Sequence, residues 1–109
     1  MRKVEKKEIS LPRLDLLRPT LESTLLKLLE EAGELAQAVG KFRGMNGENV
    51  TMVPEEVLAL ITRELLDVAQ TTVSMMFVLE EEYDIDLQAA LEEHIAKLIA
   101  KGYLGASVN

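Results

Sequence analysis

Apolar residues recur at helical spacing along three stretches of the chain, separated by polar or helix-breaking residues. The first stretch carries Leu21, Leu25, Leu28, Leu29, Ala32, Leu35, Ala36, Val39 and Phe42, a stripe with the period of an α-helix. Thr20 is suited to cap its start, with Glu22 in the first turn near the positive end of the helix dipole. Arg43 to Val53, with Gly44, Asn46 and Gly47, reads as a flexible connection, and its glycines have too little pattern for a phosphate-binding loop. Pro54-Glu55-Glu56 then opens a longer helix running to about Glu82, with proline and acids where a helix N-terminus favours them. At about 100° per residue, Val57, Leu60, Ile61, Val68, Thr71, Met75, Val78 and Leu79 share one arc of this helix, and Glu64 and Asp67 fall inside it. The opposite arc, with Leu58, Leu65, Leu66, Ala69, Val73 and Met76, is apolar as well, which leaves a sliver with Arg63, Gln70 and Ser74 for solvent. A helix apolar on two sides is expected to be buried on two sides, at the centre of a bundle or across a subunit interface. Asp84 or Asp86 is expected to cap a third helix carrying Leu87, Ala90, Leu91, Ile95, Leu98 and Ile99, with Gly102 at its end.

The region before Thr20 is different in kind. Residues 1 to about 9 form a charged, mobile arm, and Leu14, Leu16 and Leu17 after Ser10-Leu11-Pro12 predict one short helical turn closed by Pro19. The expected fold is therefore all-α: an antiparallel helical bundle of three main helices plus a short N-terminal turn, completed by oligomerisation. Residues 1–19 are the arm, 20–104 the helical domain and 105–109 a tail.

Composition narrows the function classes. At 109 residues there is room for one domain. Only four residues are Phe or Tyr and none is Trp, so the core is aliphatic, a palette that suits helices and supplies no evident stacking platform for a base. A net charge of −7 disfavours a nucleic-acid polymer as partner, since affinity there comes from cations on phosphates, but leaves open a small polyphosphate carried by divalent metal. The absence of cysteine excludes disulfides, thiolate metal sites and a cysteine nucleophile. No apolar signal region or membrane span is legible, which points to the cytoplasm and away from membranes.

Two acids on an apolar helix face demand a partner, because an isolated buried carboxylate costs several kcal/mol. A second acidic group, Glu30, Glu31 and Glu34, lies on the first helix, where alone it would read as a solvated face. Register links the two groups. Glu34 stands eight residues before Phe42 and Glu64 ten after Pro54, so in an antiparallel hairpin they differ in height by only about 3 Å. Glu34 then faces Glu64 and Glu31 faces Asp67, each pair at i,i+3 spacing on its helix. Four carboxylates in a cleft suit Mg²⁺, or Mn²⁺, better than zinc, and without metal their repulsion should raise some of their pKa values. A di-iron bundle would want Glu-x-x-His on two helices. The single histidine, His94, follows Leu91 by three residues, so that chemistry is excluded. Met75-Met76-Phe77 reads as core or interface packing, and Glu80-Glu81-Glu82 as a solvated helix end.

Glu30-Glu31-x-x-Glu34 within KLLEEAGELAQAVGKFRG, followed by Glu64-x-x-Asp67 in ELLDVAQ, resembles the signature of the MazG-like, all-α nucleoside triphosphate pyrophosphohydrolases. The resemblance covers roughly residues 20 to 104, with Lys27, Gly33 and Leu35 also agreeing, and His94-x-x-Lys97-x-x-x-Lys101-Gly102-Tyr103 is similar to the family's closing basic segment. The resemblance implies Mg²⁺ bound by Glu31, Glu34, Glu64 and Asp67, with Glu30 assisting the metal cluster or the attacking water. It implies cleavage of a nucleoside triphosphate between the α and β phosphates, in a dimer or tetramer. Lys27, Lys97 and Lys101, with His94, are then candidate substrate contacts. A competing expectation is a non-catalytic helical interaction protein that keeps only the scaffold.

Overall fold

A computed structural model of the chain describes residues 4–44 and 53–105. These form three helices, α1 (Leu21–Arg43), α2 (Pro54–Tyr83) and α3 (Leu87–Ala100), with no strand among the described residues. The fold class is all-α, as the apolar periodicity predicts. Residues 45–52, most of the expected connection between α1 and α2, and residues 106–109 of the expected tail lie outside the described residues.

The helix ends follow from local chemistry. Thr20 and Ser23 cap α1 reciprocally: the Ser23 N–H donates to Thr20 Oγ1 at 3.0 Å and the Thr20 N–H donates to Ser23 Oγ at 2.8 Å. Gly44, at φ 67°, closes α1 in the left-handed conformation. α2 starts with Pro54 in its first turn. Of the two aspartates expected to cap α3, Asp86 does so, accepting from the Ala89 N–H at 3.0 Å. Asp84 instead terminates α2 with φ 53°. After α3, the Gly102 N–H donates to the Ile99 carbonyl and the Tyr103 N–H to the Leu98 carbonyl, so the glycine expected there supplies the left-handed turn that ends the helix.

α1 and α2 pack along each other and run antiparallel, the Thr20 end of α1 lying near Val78 and Glu34 near Glu64. Their seam has a seven-residue repeat. Thr24, Glu31 and Ala38 are buried on α1, and Val57, Thr71 and Val78 on α2, with Glu64 completing the second series. A repeat of seven is what two helices winding along one another require. This corrects the leucine stripe as the buried face of α1. Leu21, Leu28 and Leu35 flank the seam, but Leu25, Leu29 and Val39 stay exposed. Small and hydroxylated seam residues allow close approach, and the bulkier leucines are displaced outward.

Two further expectations are corrected. Residues 10–19 hold a single turn at Asp15-Leu16, inside the short turn expected there; the rest of the segment is irregular, and it lies on α2. Gln70 and Ser74 are therefore not solvent-facing, and Ser74 is buried, whereas Arg63 is exposed as expected. The arm is held by Arg13, whose Nη2 lies 2.8 Å from Glu81 Oε2 in a two-pronged pair, and by Gln70 Nε2, which donates to the Pro12 carbonyl at 2.8 Å. Glu81 thus ends in an ion pair, not as a merely solvated helix end. Within one chain, α3 makes almost no packing with α1 or α2. The radius of gyration is 17.5 Å, against about 13 Å for a compact domain of this length. Leu58, Leu65, Leu66 and Met76 on the second apolar side of α2, and Leu91 on α3, remain uncovered within one chain.

Candidate metal centre

The site is set by the α1–α2 seam. Glu31 occupies the middle of the α1 repeat between Thr24 and Ala38, and Glu64 occupies the matching place on α2 between Val57 and Thr71. Glu34, one turn beyond Glu31, reaches Glu64 from the rim. Carboxylate oxygens of Glu31, Glu34 and Glu64 lie within 4.8 Å of one another. Glu31 is 5% exposed, so one of the three charges is taken almost wholly out of water.

Compensation is incomplete. Lys27 Nζ lies 3.0 Å from Glu31 Oε1 and 3.6 Å from Glu30 Oε1. Glu31 Oε2 and Glu64 Oε2 are both buried without a hydrogen-bond partner. Glu31, with Glu64 and Glu30 adding to the effect, pushes the Glu34 carboxyl above the ordinary carboxylate range; loss of hydration and a shared hydrogen bond with Glu64 act in the same direction. The rise expected from crowding acids is thus present at Glu34. Glu31, with Glu30, holds the Lys27 ammonium more firmly protonated.

Three clustered carboxylates, one lysine and two buried orphaned oxygens are the surroundings a hard divalent cation satisfies, since Mg²⁺ and Mn²⁺ take oxygen ligands and neutralise the excess charge. The donor set fits such an ion. Asp67 stands apart from the group of three. It is exposed, and with Glu31 it borders a cavity of about 410 Å³. Glu34 lies beside Glu64 as the register predicts, while Glu31 and Asp67 border one cavity, with Asp67 exposed and not on a buried face. Glu30 is exposed and touches Lys27.

The remaining sequence candidates divide. Lys27 borders the cavity but is engaged by Glu31 and Glu30. His94, Lys97 and Lys101 lie in or just beyond α3, all exposed, and a single chain does not bring them to the acids. The cavity also draws on residues that the sequence did not mark as site candidates: Leu14, Leu17 and Arg18 of the arm, and Gln70, Thr71 and Ser74 of α2. Ser74 Oγ is a third buried, unpartnered polar atom. Ser74 lies seven residues after Asp67, a spacing that puts both on one helix face, and that was the only signal available for it.

Comparison with known proteins agrees with this arrangement. No match was found among curated proteins or solved structures. The MazG nucleotide pyrophosphohydrolase domain matches residues 19–102, most of the 109-residue chain and the whole of α1, α2 and α3. The chain belongs to the MazG nucleotide pyrophosphohydrolase domain family.

Proposed function

We propose that the protein is a Mg²⁺-dependent pyrophosphohydrolase, with Mn²⁺ able to substitute, that converts a nucleoside triphosphate to the monophosphate and pyrophosphate. The observation that carries this reading is the Glu31, Glu34 and Glu64 cluster within 4.8 Å, with buried, unpartnered oxygens on Glu31 and Glu64. These three side chains would hold the metal, with Asp67 adding a carboxylate from the cavity edge and Glu30 assisting from the exposed side. When bound, divalent cations offset the charge of the triphosphate and lower the pKa of a coordinated water. The chain's own contribution is to hold the acids. The seven-residue seam fixes Glu31 and Glu64 in place, and Glu34 would join them from the rim. Lys27 keeps Glu31 in register and Lys97, Lys101 and His94 are proposed as substrate contacts.

Self-association follows in this reading from the uncovered apolar side of α2 and the unpacked α3. Burying Leu58, Leu65, Leu66 and Leu91 against a second copy would remove them from water at about 25 cal/mol per Å². It would also give α3 and its basic residues a place beside a site. We take the active form to be a cytoplasmic dimer or tetramer acting on free nucleotide, with no nucleic-acid polymer or membrane as partner and with the helical domain spanning residues 20–104. No described helix is long and apolar enough to cross a membrane.

The test is pyrophosphate release from ribo- and deoxyribonucleoside triphosphates with Mg²⁺, run beside Glu64→Gln. Release by the parent and loss in the variant are expected; no release from any nucleotide by a folded parent sinks the proposal. The exposed apolar flank is also what a non-catalytic interaction protein would show. That alternative predicts no thermal shift of the protein at millimolar Mg²⁺, whereas a metal centre predicts a rise in Tm.

A further inference from the structure

The arm between Pro12 and Thr20 has a role that the acidic cluster does not explain. Two cavities lie beneath it, one of about 410 Å³ beside the acids and one of about 440 Å³ toward the end of α2. Both are bordered by Leu14, Leu17, Arg18, Pro19 and Ser74, so they are the two halves of one groove roofed by the arm. Without the arm the groove has no outer wall.

The roof is fastened at both halves. The Arg13–Glu81 pair belongs to the half away from the acids. Gln70, which donates to the Pro12 carbonyl, belongs to the half beside them and lies three residues after Asp67. A two-pronged arginine–carboxylate pair fixes orientation as well as distance, unlike a lysine contact. The pair holds the Glu81 carboxyl below the ordinary carboxylate range and the Arg13 guanidinium above its own.

What the roof brings to the acid-lined half is Arg18. Two cationic residues border that half, Lys27 and Arg18. Lys27 is committed to Glu31 and Glu30. Arg18 forms no ion pair among the described residues. A polyphosphate entering a cleft bordered by Glu31 and Asp67 meets like charge, and a guanidinium bordering the same cavity offers a fork matched to phosphate oxygens.

We propose that Arg18 is a substrate-binding residue that contacts phosphate oxygens, and that Arg13, Glu81 and Gln70 are positioning residues that strap the arm to α2 and hold Arg18 over the cavity. The inference rests on the pyrophosphohydrolase reading for the identity of its substrate. Apparent affinity falls with the fraction of molecules in which the strap is docked, so loosening either fastening weakens substrate binding and leaves the chemistry at the acids intact.

The test is a double-mutant cycle on KM and kcat for pyrophosphate release, with Mn²⁺ affinity measured for each protein. Arg18→Met is expected to raise KM about tenfold, the worth of one charge-assisted contact, with kcat and Mn²⁺ affinity little changed. Arg18→Lys should recover part of the loss. Glu81→Gln should raise KM severalfold in the parent but add nothing in the Arg18→Met background, because it acts through Arg18. The exchanged pair Arg13→Glu with Glu81→Arg should restore the parent KM. Additive effects of Arg18→Met and Glu81→Gln, an unchanged KM in Arg18→Met, or loss of kcat or Mn²⁺ affinity in either variant overturns the proposal. If the folded parent releases no pyrophosphate, the activity itself fails. The same cycle is then read on the Kd of a non-hydrolysable nucleoside triphosphate analogue, where non-additivity supports the Arg18 assignment and additivity or absence of binding overturns it.

Discussion

Lys27 Nζ lies 3.0 Å from Glu31 Oε1, one helical turn away on α1, while the other oxygen of that buried carboxylate has no partner. The lysine offsets one charge in a cluster of three carboxylates, and it does so from a half-exposed position where solvent weakens its hold. Removing it should matter most when nothing else is there to offset the acids. Lys27→Ala is expected to lower the Tm of the metal-free protein. Millimolar Mg²⁺ should erase most of that difference. Thermal melts of parent and variant in chelator and in Mg²⁺ check both statements; a deficit that survives metal would show that Lys27 acts on the fold and not on the cluster.

Glu64→Gln removes one of the three clustered charges while keeping the shape of the side chain. Turnover should fall at least about a hundredfold, as expected when a ligand of a catalytic metal is lost. The variant should melt no lower than the parent in chelator, because repulsion with Glu34 and Glu31 is relieved. Circular dichroism melts and pyrophosphate release, measured on the same preparation, separate the two effects. Unfolding of the variant would assign Glu64 a structural role.

Two carboxylates titrate with opposite consequences. The folded protein raises the pKa of Glu34, chiefly through Glu31, so stability from its protonated form is present below the ordinary glutamate range and is lost as pH rises through the raised value. Metal-free protein should therefore lose Tm across that interval, and Glu34→Gln should flatten the change. Arg13 lowers the pKa of Glu81, so its stability is present above the ordinary range and is lost as pH falls through the depressed value. Melts across acidic pH in chelator, with Glu81→Gln as the second control, should show the two slopes separately.

Leu58 and Leu65 stand on the side of α2 opposite the seam and are about half exposed in a single chain. Leu58→Lys with Leu65→Lys should shift the protein toward monomer, by sedimentation velocity, without disturbing the α1–α2 seam. Parent and variant sedimenting alike as monomers would show that this apolar flank is not an interface between copies.

Much of the fold was legible in the letters, and so was the height at which the acids meet. Thr20, Pro54 and Asp86 sit at helix starts, and Gly44 and Gly102 at helix ends, because capping is decided by hydrogen bonds within a few residues. Glu34 meets Glu64 because antiparallel pairing and a constant rise per residue convert sequence position into height. The buried face of α1 was less legible. A wheel weighted by hydrophobicity points to the leucines, whereas the seam buries Thr24, Glu31 and Ala38, where small size and polar chemistry count for more than oiliness.

The amino-acid order by itself determined the helices, their caps, the pairing height of the two acidic groups and the family. Those properties depend on local hydrogen bonds and on periodicities that one chain segment carries alone. Only the tertiary structure decided that Glu31, Glu34 and Glu64 converge, that Glu31 is the buried one, and that residues 10–19 cross α2 as a strap fastened at Gln70 and Glu81. The contacts between Gln70 and Pro12 and between Arg13 and Glu81 join residues 58 and 68 positions apart, and no periodicity encodes a pairing of that range.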